Sequence, residues 1–228
     1  MEDLKLNLNF ADIFSNNSTL QEMAQKKNIK DDKQERSHRR TVKCLELSLD
    51  YEMRRGFSEQ KLWDAMGGIK ELKENTSYNF ITAGDVDALS YLQLILRYQS
   101  LDYLLFSTWC MGAEDILKFD EWLTNGTIKK LDAYVGEIFP GTYKIEWQML
   151  NELFKKHEGC GRIAVFRNHS KIFAGYGQKF HFGIQTSCNI NTNPRTENGC
   201  ITISRELFQF YKDYFDGIQS FVHEEKSK

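Results

Sequence analysis

Apolar and polar positions follow one another in two rhythms along the chain, and the rhythm settles into a regular pattern near residue 78. From Tyr78 onward, short apolar runs separate stretches whose apolar positions lie three and four apart, which predicts strands alternating with amphipathic helices. The run NFITAG leads into a predicted helix opened by Asp85 as N-cap, with Leu89, Leu92 and Leu96 on one stripe. YLLFSTW reads as a buried strand. The helix after it carries Ile116, Phe119 and Leu123 and stops near Asn125-Gly126, where glycine accepts the left-handed conformation. IKKLDAYVGEIF is strand-like, Trp147, Leu150 and Phe154 stripe a further helix, and Gly159 to Gly161 break it. Two more strands are predicted, RIAVFRNHSKIF and FHFGIQTSCN. A closing helix is capped by Ser204 and turns Leu207, Tyr211, Phe215 and Ile218 inward. This alternation predicts an α/β layer fold over residues 78–222.

The stretch before residue 78 has a different character. Residues 1–40 are polar and end in KKNIKDDKQERSHRR, which leaves few large side chains for a core and predicts a flexible or helical arm. Residues 41–77 place Leu45, Leu49, Leu62, Trp63 and Met66 at roughly helical spacing and predict a helical extension packed on the main domain. Composition changes little: 41% apolar and 13% aromatic residues suit a globular chain, and a net charge of -2 exerts no global pull on polyanions. Five cysteines without C-x-x-C spacing, behind an acidic, polar opening, predict a reduced cytoplasmic setting and thiols that pack as small hydrophobes. Apolar runs such as Tyr103 to Phe106 are too short to cross a bilayer.

Candidate chemistry concentrates in the last two predicted strands. If RIAVFRNHSKIF is one strand, Arg167, His169 and Lys171 project from one face, and an imidazole and an ammonium share a surface. In the next strand Gln185, Ser187 and Asn189 share a face and offer hydroxyl and amide donors to phosphate oxygens. Glu197 precedes the strand-like CITI and is a candidate to accept a bond from an imidazole nitrogen, which fixes the tautomer and frees the other nitrogen to attack. The spacing of Cys160, Cys188, Cys200 and His181 fits no zinc template, so no metal is assigned. His181, in an aromatic strand, is read as packed.

In order, N-His169-S-Lys171-I, G-I-Q-T-Ser187-C-Asn189 and Glu197-N resemble the H-x-K, G/S-S-x-N and E-N signature of the phospholipase D superfamily, over roughly Tyr78 to Ser220. The resemblance implies a mixed β-sheet flanked by helices and a cofactor-free phosphodiesterase that forms a phosphohistidine. It makes His169 the nucleophile and Glu197 its orienting group. Lys171 and Asn189 become the phosphate clamp and Ser187 an auxiliary donor. Two positions depart from the pattern: Tyr176 stands where the family has Asp, and Thr186 where it has Gly. The family site uses two imidazoles, yet His38, His157, His181 and His223 are followed two positions later by Arg40, Gly159, Gly183 and Glu225. The resemblance therefore implies a homodimer with one His169 from each subunit.

The substrate stays open at this level. Lys26 to Lys43 form a basic cluster interrupted by Asp31, Asp32 and Glu35, which reads first as a solvated helix face or arm. Its functional alternative is a nucleic-acid contact through Arg39 and Arg40, joined by Arg167 near the motif. On that alternative a nuclease-like enzyme is favoured over one acting on phospholipid. A different class also fits: a module that kept the phosphate pocket and lost turnover when Asp gave way to Tyr176.

Overall fold

The chain divides into two units, Met1–Glu52 and Met53–Lys228. The computed structural model describes residues 58–84, 86–191 and 195–221, all in the second unit. The expected arm, the basic cluster with Arg39 and Arg40, residues 41–57 of the predicted extension, and Asp85 lie outside the described residues. Within them, residues 58–65 form helix α1, and β1 already begins at Thr76.

The elements that follow are β1 (Thr76–Ala83), α2 (Ala88–Leu96), β2 (Leu101–Thr108), α3 (Ala113–Thr124), β3 (Leu131–Gly136) and the short α4 (Phe139–Thr142). After them come α5 (Lys144–Lys156), β4 (Ile163–Phe166), β5 (Ile172–Gly177), β6 (His181–Thr186), β7 (Thr196–Ile203) and α6 (Arg205–Asp216). The seven strands make one mixed sheet in the order β1-β7-β6-β5-β2-β3-β4. β2, β3 and β4 run parallel, joined through α3 and through α4 and α5, and all other neighbours are antiparallel. The expected mixed sheet flanked by helices is present.

Each face of the sheet has its own cover. On one, Leu104, Phe106, Val135, Phe173, Ile184 and Ile201 pack with Leu92, Phe119 and Leu150 from the helices. On the other, α6 is the one covering helix among the described residues and lays Phe208, Tyr211 and Phe215 over Tyr103, Leu105, Tyr134 and Ala174. Arg162 fastens the far end of that helix: its guanidinium donates to the Phe215 carbonyl at 2.8 Å and to the Tyr134 hydroxyl at 2.9 Å, neutralising carbonyls that the helix leaves unpaired.

Three local expectations need correction. The N-cap of α2 is Asp87, whose extended backbone (φ -90, ψ 166) lets its carboxylate accept from the Ser90 N–H at 2.8 Å. The run IKKLDAYVGEIF is a strand only over Leu131–Gly136, since α4 takes up Phe139. RIAVFRNHSKIF is not one strand. β4 closes at Phe166 on the sheet edge, and β5 opens at Ile172 beside β2, three strand positions away.

Candidate functional site

That last correction fixes where the motif lies. Residues 167–171 must cross from β4 over the ends of β3 and β2 to reach β5. Three inter-strand spacings amount to about 14 Å, and the six Cα steps from Phe166 to Ile172 reach about 20 Å at most. The connection has little slack, so it runs as a strap across the carboxyl ends of the parallel strands. This is the position where open α/β sheets place their ligands.

Asn168 anchors the strap. It is 5% exposed, and its Nδ2 donates toward Ser107 Oγ (2.9 Å), the Tyr134 carbonyl (3.1 Å) and the Thr108 carbonyl (3.2 Å). Its Oδ1 accepts from the Ser170 N–H (2.9 Å) and hydroxyl (2.7 Å), folding the strap on both sides of His169. Ser107 and Ser170 are themselves 2.6 Å apart through their hydroxyls. Gly136 makes the crossing possible, because a Cβ there would stand 2.7 Å from Trp109 Cδ1 and 3.1 Å from the Asn168 carbonyl. None of Asn168, Ser170, Ser107 or Gly136 stood out in the sequence. The signal available was the pair of small polar residues flanking the histidine.

Arg167 is exposed at the start of the strap, and His169 is exposed over the sheet end with its ring 5.5 Å from that of Trp109. Lys171 is half-buried. Its Nζ donates to the His169 carbonyl at 2.6 Å and lies 3.0 Å from the ring Nδ1. The expected pairing of imidazole and ammonium is therefore present, through a folded strap instead of strand alternation. Burial pulls the Lys171 ammonium below the usual lysine value, against the opposing influence of Cys110, Glu197 and Cys188. Burial also pushes the Cys110 thiol up and the Cys188 thiol up to about 11, so both stay neutral near pH 7.

The other predicted residues approach from β6 and β7. β6 ends at Thr186, so Ser187 and Asn189 leave the strand, and Gln185 turns to the opposite side, where its amide donates to the Tyr211 hydroxyl. The expected shared face of these three residues does not form. Instead the 187–191 loop is tied over the end of β2: Gly112 donates to the Ile190 carbonyl at 2.8 Å, and the Ile190 N–H to Thr108 Oγ1 at 3.2 Å. Thr108 thereby holds both the strap and this loop. Within the loop the Asn189 Oδ1 is buried without a hydrogen-bond partner. Glu197, 8% exposed on β7, accepts from the Ser187 hydroxyl. Tyr176 lies outside this constellation: on β5 it stacks on Tyr103 (6.1 Å) and His181 (5.1 Å) and meets Phe208 edge-on. Among the described residues, no group of three or more His, Cys, Asp or Glu is arranged to hold a metal ion, and no helix is long and apolar enough to cross a membrane.

The chain is similar in part to two crystal structures. Polyphosphate kinase from Porphyromonas gingivalis aligns at 10% identity and a TM-score of 0.47, over 65% of this chain and 27% of that one. Phosphatidylserine synthase from Haemophilus influenzae Rd KW20 aligns at 17% identity and a TM-score of 0.48, over 61% of this chain and 38% of that one. The chain thus spans less than two fifths of the length of either. No family model and no curated protein sequence matches it.

Proposed function

We propose that the chain is a phosphodiesterase of the phospholipase D kind, nuclease-like and independent of metal, working through His169. The observation that carries this reading is the Lys171 ammonium held 3.0 Å from the His169 ring on a strap pinned across the carboxyl ends of β2 and β3. A phosphate arriving between ammonium and ring draws Lys171 onto its oxygens, joined by the Asn189 amide. Glu197 then accepts a hydrogen bond from the ring Nδ1–H, which fixes that tautomer and leaves Nε2 free to attack. In the reaction His169 Nε2 bonds to phosphorus as the P–O bond to the leaving group breaks. His169 of a second subunit protonates that oxygen, then takes a proton from the water that cleaves the phosphohistidine.

The test incubates the full chain with single- and double-stranded DNA and RNA in EDTA, beside His169→Ala. We expect cleavage by the wild type alone and an acid-labile phosphate on His169 after quenching. Equal cleavage by both proteins overturns the role of His169. A second reading rests on Tyr176, which is committed to an aromatic stack where the family has an acid: a phosphate-binding module without turnover. Salt-sensitive binding of nucleic acid that needs Lys171 and leaves the polymer intact identifies that case.

A further inference from the structure

The two edges of the sheet are finished differently. At β4, the segment after α6 closes the edge: the Phe221 N–H donates to the Val165 carbonyl at 2.7 Å and the Val165 N–H to Ser220 Oγ at 3.0 Å. At β1 the outer side pairs with no strand among the described residues. Which groups point outward follows from the register. The Asn198 carbonyl accepts from Ser187 on the β6 side, so even-numbered residues of β7 face β6 and odd-numbered ones face β1. Thr76, Tyr78, Phe80 and Thr82 lie opposite those odd residues and use their main-chain groups against β7. Ser77, Asn79, Ile81 and Ala83 therefore present theirs outward.

Among the described residues, this edge has none of the usual protections. TSYNFITA carries no charge and no proline, its register with β7 has no bulge, and Ile81 is 78% exposed. It also matches itself. Antiparallel pairing about a two-fold axis at Phe80 sets Asn79 against the partner subunit's Ile81 and Ser77 against the partner subunit's Ala83. All four outward-facing residues then fall in hydrogen-bonded pairs, with about eight main-chain bonds in all. The absence of charge means no like charges meet, and the two Ile81 side chains become diagonal neighbours that shield each other.

We propose that β1 is a self-association edge, through which two copies of this chain join their sheets into one. The pairing reverses strand direction, so the two His169 straps lie at opposite ends of the joined sheet. This contact is therefore distinct from any that brings two His169 rings to one phosphate.

The test uses the full chain. Sedimentation should show a dimer, and residue-resolved hydrogen exchange should show slow amides at Ser77, Asn79 and Ile81. Ile81→Lys adds charge at an exposed position, and Asn79→Pro removes an outward N–H without touching the β7 ladder. Each should weaken dimerisation about tenfold or more while thermal unfolding of the monomer is kept. A chain that stays monomeric up to about 100 µM overturns the proposal. So does a dimer in which those amides exchange freely or which neither variant weakens, and that result leaves the reading of His169 standing. Loss of cleavage in His169→Ala with an unchanged dimer separates the two in the other direction.

Discussion

Replacing Asn168 with alanine tests whether the strap is held by this one side chain. The amide's two hydrogens are shared among three acceptors on β2 and β3, and its oxygen takes two donors from Ser170. Alanine leaves the Ser107 hydroxyl and two carbonyls facing a small buried void. At about 0.5–1.5 kcal/mol for each bond, less what water recovers, the loss should be about 3 kcal/mol. For a domain of this size that lowers the melting temperature by about 6–12 °C. Asn168→Asp keeps the Ser170 bonds but turns an acceptor toward the Thr108 and Tyr134 carbonyls, so it should cost at least as much at neutral pH. Thermal and urea unfolding followed by circular dichroism measure both, and a cleavage or phosphate-binding assay should fall with them because the His169 and Lys171 positions depend on the strap. An Asn168→Ala protein within about 0.5 kcal/mol of wild type refutes the anchoring argument.

Gly136→Ala drives a methyl group into the Trp109 ring edge and the Asn168 carbonyl, and we expect about 1–3 kcal/mol of destabilisation, read from the urea midpoint. Tyr176→Asp places a carboxylate among Tyr103, His181 and Phe208, so it should lower stability by about 2–3 kcal/mol. It should not raise cleavage, and a more active variant of unchanged stability refutes that. Burial pulls His181 below its ordinary value, Arg205 adds to this and Glu74 opposes it. The neutral ring is thus favoured in the fold, so its contribution is complete above the unfolded value near 6.5 and is lost as pH falls from there through the folded value. Urea midpoints should drop between about pH 7 and about pH 5 in the wild type, and less in His181→Phe.

Local signals survived well from sequence to structure. Ser204 caps α6 through its bond to the Leu207 N–H, Asn125 and Gly126 end α3, and the α2, α3 and α5 stripes lie in the core, because each depends only on neighbours a few residues away. The cap of α2 was misplaced by two residues: Asp87, not Asp85, takes the Ser90 N–H three residues on. What the sequence could not supply was strand order. RIAVFRNHSKIF has the alternation of one strand, and only the placement of β4 at the edge and β5 beside β2 turns its middle into a strap. Asn168 looked like one polar residue among several, since its burial depends on carbonyls of β2 and β3 more than thirty residues earlier. The candidate residues stood in the sequence as an ordered motif, whereas the contacts that hold them in place come from residues that the motif does not include.

The pairing of β1 with β7 also has a consequence in time. Thr76 lies opposite Ile203, so the chain grows by about 120 residues after β1 before its partner exists, roughly 6–25 s of synthesis. Throughout that interval the uncharged TSYNFITA segment has both of its edges open on the nascent chain. On a polysome several such segments coexist within reach of one another. The strand most exposed to wrong partners during synthesis is the one whose correct partner is made last.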